Sequence, residues 1–194
     1  MYKKQMRFQK IFCLLALFAS VLVFIYSLGI MTDLYDTLYT TMMDPTNIDD
    51  TWVPGSQVYY YMQGFNKSLL MFSIVMILLA VLLFITNTDK RRKYYIANYV
   101  SIGLYSVFTL FVTFRAHSNI QAYKALWLSI DFNALREFAD MFKSAYTEST
   151  FWFDIHYLVF GICVVSVCLL VFNVYWKICL MKEEKRLIEG GTAA

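Results

Sequence analysis

The sequence Asp89-Lys90-Arg91-Arg92-Lys93 lies between two long apolar segments, residues 68–86 and residues 94–114. It holds the densest run of positive charge in the chain. Basic residues in a short loop remain on the cytoplasmic side of a membrane, so such a run orients the segments on either side of it. The pattern therefore predicts a cytoplasmic hairpin that connects two membrane-spanning helices.

Two more apolar segments flank this pair, residues 11–30 and residues 155–176. Residues 11–30 carry no charge, and at about 1.5 Å per residue they cross the roughly 30 Å hydrocarbon core of a bilayer. A cleaved secretory signal is the alternative, but the segment is long and no small-residue cleavage motif follows Gly29. We predict one all-α integral membrane domain, residues 1–194. It is a bundle of four transmembrane helices with two long outer loops, residues 31–67 and residues 115–154.

The distribution of charge agrees with this topology. Twelve of the 17 Lys and Arg residues fall in the predicted inner segments, whereas ten of the 14 acidic residues fall in the predicted outer loops. The positive-inside rule then places both termini in the cytoplasm and the chain in the cell membrane. With 59% hydrophobic and only 16% charged residues, the composition indicates a lipid bilayer as the surroundings. The basic residues cluster at membrane edges, which argues against a nucleic-acid partner.

The third segment carries a polar face. Its side chains recur at steps of three and four, which places them on one side of a helix; they are Asn98, Ser101, Tyr105 and Thr109. Such a face turns away from lipid and into the bundle. We favour interhelical hydrogen bonding as its role, and a lined pathway is the functional alternative.

The second outer loop is predicted to contain two amphipathic helices. Ser118 or Asn119 could cap the first, and Asp131 or Asn133 could cap the second. An apolar face outside the membrane needs a cover, which could be lipid headgroups, the first outer loop or a partner. Packing on the first loop and docking of a partner are equally supported. The candidate partner-binding residues are Trp127, Leu135, Phe138 and Phe142.

Candidate catalytic and metal-binding groups are sparse. The four cysteines lie within or at the ends of apolar segments, which argues against a disulfide framework; they are Cys13, Cys163, Cys168 and Cys179. His117 and His156 are too few for a zinc site. Arg115 and Asp154 could form an ion pair at the outer edge, and Arg136 and Asp140 have the spacing of a supportive helical pair. We expect no metal, no cofactor and no enzymatic activity.

Four short features of the sequence point to a family. They are the basic start with its first span to Gly29, Gln63-Gly64-Phe65-Asn66-Lys67 before the second span, Leu128-Ser129-Ile130-Asp131-Phe132, and Trp152-Phe153-Asp154 before the fourth. In these features the chain resembles small uncharacterised four-helix membrane proteins of Gram-positive bacteria, some of which are encoded beside carbohydrate ABC-type transporters. The resemblance implies an accessory membrane subunit and supplies no catalytic residue.

These observations predict a non-catalytic integral membrane subunit that binds and stabilises a larger membrane assembly, with a transporter as the expected partner. Other integral membrane subunits are therefore the expected protein partners. The alternative is a self-assembling small transporter or channel that is lined by the polar face of the third span.

Overall fold

The computed structural model describes residues 2–39, 41, 47, 50–88, 96–143 and 146–191. Within this part the chain is helical and contains no strand. The helices are α1 (Tyr2–Tyr39), α2 (Val58–Asn87), α3 (Ile96–Trp127), α4 (Phe132–Phe142), α5 (Phe151–Asp154) and α6 (His156–Gly191). The predicted hairpin, residues 89–93, lies outside the described residues, and so do most of residues 40–49.

Four of these helices, α1, α2, α3 and α6, are long and apolar enough to cross a membrane. The 30 residues of α2 measure about 45 Å, which matches a hydrocarbon core with its headgroup regions. The predicted all-α class is confirmed, and the chain has the architecture of a multi-pass membrane protein.

The four long helices form a closed ring. α1 packs against α2 and α6, and α3 packs against the same two helices, so α1 and α3 lie across the bundle from each other. Small side chains bring the backbones close together: Ala16, Ala19 and Ala80 are each 0% exposed. The outward faces are apolar, and Phe114 and Val107 are among the most exposed side chains. This distribution suits a bundle whose outer surface contacts lipid.

The structure corrects the predicted outer end of the third span. α3 does not stop near Phe114, and no separate helix begins at Ser118 or Asn119, because α3 continues without a break to Trp127. Residues 115–127 contain no Pro or Gly to end a helix. The amide of Asn119 donates to the Arg115 carbonyl at 2.7 Å, inside the helix rather than at a cap. α1 likewise continues past its predicted span, to Tyr39.

The described parts of the connections before α2 and after α3 pack on each other and cap one end of the bundle. We call them the outer connections after the predicted topology. Gly55 has φ +87°, and a Cβ on it would lie 3.0 Å from the Cα atom of Ile130, so only glycine fits this turn. The Asp131 amide donates to the Pro54 carbonyl at 3.1 Å. The Asp131 carboxylate then caps α4 by accepting from the amides of Asn133 and Ala134, each at 3.1 Å. Of the two residues predicted to cap this helix, Asp131 is therefore the one that does so.

Candidate functional site

The predicted polar face of α3 points into the bundle. Asn98 and Ser101 are buried, and Tyr105 and Thr109 are 0% exposed. The Ser101 hydroxyl lies 2.9 Å from the Thr86 hydroxyl and accepts from the Asn87 amide at 3.0 Å. This end of the polar face therefore joins α3 to the last turn of α2.

Tyr105 connects α3 to the helix across the ring. Its hydroxyl donates to the Ala16 carbonyl at 2.9 Å and lies 3.3 Å from the Ser20 hydroxyl. The small side chains of Ala16 and Ser20 leave room for the ring, and Ser20 itself donates to the Ala16 carbonyl. One turn further along α3, the Thr109 hydroxyl has no partner among the described residues. The middle of the polar face is thus a contact between helices.

A second polar cluster lies at the end of the bundle where α1 begins. The Gln9 amide donates to the carbonyl and to the side-chain oxygen of Asn87, at 2.8 and 3.1 Å. The Gln5 amide donates to Gln9 at 2.9 Å and to Asn173 at 3.3 Å. With Ser101, these side chains connect all four long helices. We call Gln5, Gln9, Asn87 and Asn173 the amide cluster.

Sequence reasoning missed most of the amide cluster. It began the first span at residue 11 and ended the second at residue 86, so Gln9 and Asn87 fell just outside the spans. The sequence did contain a signal for this cluster, because uncharged amide side chains lie at the same predicted end of three spans. All four members are buried, and each interhelical hydrogen bond of this kind contributes about 0.6 kcal/mol in a membrane bundle. The cluster can therefore hold the four long helices together at one end of the bundle without any charged side chain.

The α3 polar face and the amide cluster consist of neutral side chains. Their partners are amides, hydroxyls and backbone carbonyls, none of which changes protonation near neutral pH. The polar face is also enclosed by α1, α2 and α6 of the same chain. Its geometry therefore suits helix association.

The four candidate partner-binding residues separate into two groups. Trp127 is 0% exposed, Leu135 is 1% exposed and Phe138 is 9% exposed, all within the chain's own outer cap. The Trp127 ring contacts Phe132 and Phe153, with centroids 6.1 and 5.6 Å apart. These three side chains have little free surface for a partner, which favours the alternative of packing within the chain.

Phe142 is the member of the set that remains outside, with 55% of its surface exposed. Its ring centroid lies 6.4 Å from that of Trp52, which is 54% exposed, and the neighbouring Met141 is 75% exposed. We call Trp52, Met141 and Phe142 the outer apolar patch. It combines one residue of the first outer connection with the last turn of α4.

The two histidines meet at the end of the ring that carries the cap. Nδ1 of His117 lies 3.0 Å from Nε2 of His156, and Nδ1 of His156 contacts the Phe153 carbonyl. A carbonyl can only accept, so Nδ1 of His156 carries a proton, and in the neutral ring Nε2 accepts from His117. The pair joins α3 to the start of α6. In the described part of the chain, no three His, Cys, Asp or Glu side chains form a possible metal site.

The predicted ion pairs have different partners in the structure. Asp154 pairs with Lys124 at 2.5 Å, while the Arg115 guanidinium lies over the Phe72 ring at 5.8 Å. The continuation of α3 explains the change, because it places Lys124 beside the end of α5. Arg136 pairs with Glu148 at 2.8 Å rather than with Asp140. The Arg136–Glu148 pair is exposed and the Lys124–Asp154 pair is partly exposed, and surface ion pairs of this kind contribute little to stability.

Comparison of the chain with protein-family models, with curated proteins and with solved structures found no match.

Proposed function

We propose that this chain is a non-catalytic integral membrane subunit that binds and stabilises a larger membrane assembly. The observation that carries the proposal is the outer apolar patch. Trp52, Met141 and Phe142 are all more than half exposed, on a cap whose other aromatic side chains include the fully buried Trp127 and Phe153. Aromatic and Met side chains are enriched at protein interfaces, where a few of them supply most of the binding energy. Resemblance alone suggests a transporter as the partner.

The alternative, a channel built from several copies around the α3 polar face, receives less support. Such a channel needs the polar face to line a space between copies. Here Tyr105 and Thr109 are 0% exposed, and the ring of four helices surrounds them. Opening that face would break the bond from Tyr105 to the Ala16 carbonyl and the links from Ser101 to α2.

Co-purification tests the role of the outer apolar patch. The double substitution Met141→Ala with Phe142→Ala should lower the yield of the co-purifying partner at least tenfold, because each exposed anchor contributes on the order of 1–2 kcal/mol at an interface. The measurement is quantitative mass spectrometry after mild detergent extraction. The thermal stability of the isolated chain should not change, since both side chains are exposed.

Phe114→Ala is the matched control. Phe114 is 78% exposed on α3 and lies apart from the patch, so this variant should keep the partner. If the patch instead rests on lipid headgroups, the double variant should also keep the partner. That outcome, or equal losses in the two variants, would contradict the proposed interface.

We also propose that α4 faces the outside of the cell and that both termini are cytoplasmic. The support is the excess of Lys and Arg at the end of the bundle where α1 begins and α6 ends. In a cysteine-free chain, a membrane-impermeant thiol reagent should label Asp140→Cys in intact cells. It should label Lys182→Cys only after lysis. Both native side chains are exposed, so the reverse pattern would mean the opposite orientation.

A further inference from the structure

An aromatic groove runs between α1 and α6 at the end of the bundle where α1 begins. Its volume is about 370 Å³. Lys4, Phe8 and Phe12 line it from α1, at steps of four residues, and Phe172, Tyr175 and Trp176 line it from α6. We call this surface the α1–α6 groove. It lies on the lipid-facing side of the ring, away from the outer apolar patch.

The walls of the groove have a defined shape. The Phe8 ring lies 5.8 Å from the Phe12 ring and 5.9 Å from the Trp176 ring, and Phe172 lies 6.4 Å from Trp176. Phe8 is 36% exposed and Phe172 is 56% exposed, so the rings leave an open apolar channel rather than a filled contact. An open apolar groove of this volume in a membrane suits a hydrocarbon chain.

The polar end of the groove is cationic. Lys4 lies one turn beyond Phe8, on the side away from the hydrocarbon segment that begins at residue 11. The sequence has no acid before Asp33, and the first acid of α6 is Glu183, about 10 Å along the axis beyond Trp176. Lys177 faces elsewhere, since its ammonium lies over the Tyr99 ring at 5.5 Å. Among the residues that the structure describes, Lys4 is therefore the cation that lines the mouth of the groove.

From this arrangement we propose that the α1–α6 groove is a binding site for one anionic phospholipid. One acyl chain lies between the Phe12 and Phe172 rings, and the phosphate pairs with the Lys4 ammonium. The tryptophan and tyrosine of the groove lie at the level where such rings meet lipid headgroups. Basic pockets between membrane helices bind anionic headgroups in this way. The site makes no use of the outer apolar patch, so it is independent of the proposed subunit function.

Fluorescence quenching by brominated lipids tests the proposal, because Trp176 lies in the groove. The full chain is reconstituted in phosphatidylcholine vesicles that contain a small fraction of either brominated phosphatidylglycerol or brominated phosphatidylcholine. The Trp176 signal is the difference between the wild-type chain and Trp176→Phe. We expect about a fivefold preference for phosphatidylglycerol, the ratio that one lysine near an anionic headgroup provides. Equal quenching by the two lipids would overturn the proposal.

Lysine variants separate a site from general surface charge. Lys4→Gln should remove the preference, and Lys4→Arg should keep it. Lys10→Gln is the matched control, since Lys10 is an exposed lysine of α1 that does not line the groove. If Lys10→Gln reduces the preference as much as Lys4→Gln, or if Lys4→Arg loses it, the lipid is not held at this groove.

Discussion

Trp127→Ala is expected to lower the free energy of unfolding by about 3–5 kcal/mol, the range for removing a large buried aromatic side chain. Trp127 ends α3, is 0% exposed, and packs against Phe132 at the start of α4 and against Phe153 in α5. Its loss would leave a cavity where three elements of the cap meet. The measurement is equilibrium unfolding of the detergent-solubilised chain, followed by circular dichroism.

Trp52→Ala is the control, because it removes another tryptophan side chain from the same cap. Trp52 is 54% exposed, so its removal should cost less than about 1 kcal/mol. Comparable losses in the two variants would show that the cap does not bury Trp127 as described. The comparison also separates stability from binding, because Trp52 belongs to the outer apolar patch.

Gly29→Ala is expected to destabilise the chain by about 1–3 kcal/mol, as overpacking of a filled contact does. Alanine usually gains about 1 kcal/mol over glycine inside a helix. At this position, however, a Cβ would overlap the ring of Trp152, which packs directly on the α1 backbone. The same unfolding measurement checks the prediction.

Gly161→Ala is the matched control, because a Cβ on Gly161 of α6 would meet no atom within 4 Å. We expect it to be neutral or slightly stabilising. A Gly29→Ala variant as stable as Gly161→Ala would contradict the close contact. In the Trp152→Ala background, Gly29→Ala should lose most of its cost, since neighbouring substitutions are not additive.

The four long helices could be predicted because length and absence of charge are sufficient to identify a membrane span. The residues at which these helices begin and end could not be predicted in the same way. The third span was predicted to end at Phe114, before the charged Arg115. A helix that leaves the bilayer can, however, continue in water if nothing stops it. Residues 115–127 contain no helix breaker, and Ile120 and Trp127 extend the buried face of α3 into the cap.

The interior polar face was predictable from spacing alone, since Asn98, Ser101, Tyr105 and Thr109 recur on one side of a helix. Their partners were not, because the links of Tyr105 to Ala16 and of Gln5 to Asn173 join residues far apart in the chain. The apolar side of α4 was also visible in the sequence. Which of its residues are covered depends on the fold of residues 50–57, and no local pattern contains that information.

The amide cluster has a consequence for the biogenesis of the chain. Ribosomes synthesise α1 first and α6 last, and Gln5 meets Asn173 only after the final helix has entered the bilayer. Gln9 can pair with Asn87 as soon as α2 is inserted. A nascent chain with three inserted helices therefore lacks the bond from Gln5 to Asn173, although Gln5 can already donate to Gln9 within α1. The insertion of α6 adds this bond and closes the ring of four helices, so the amide cluster is completed in the last of these four insertion steps.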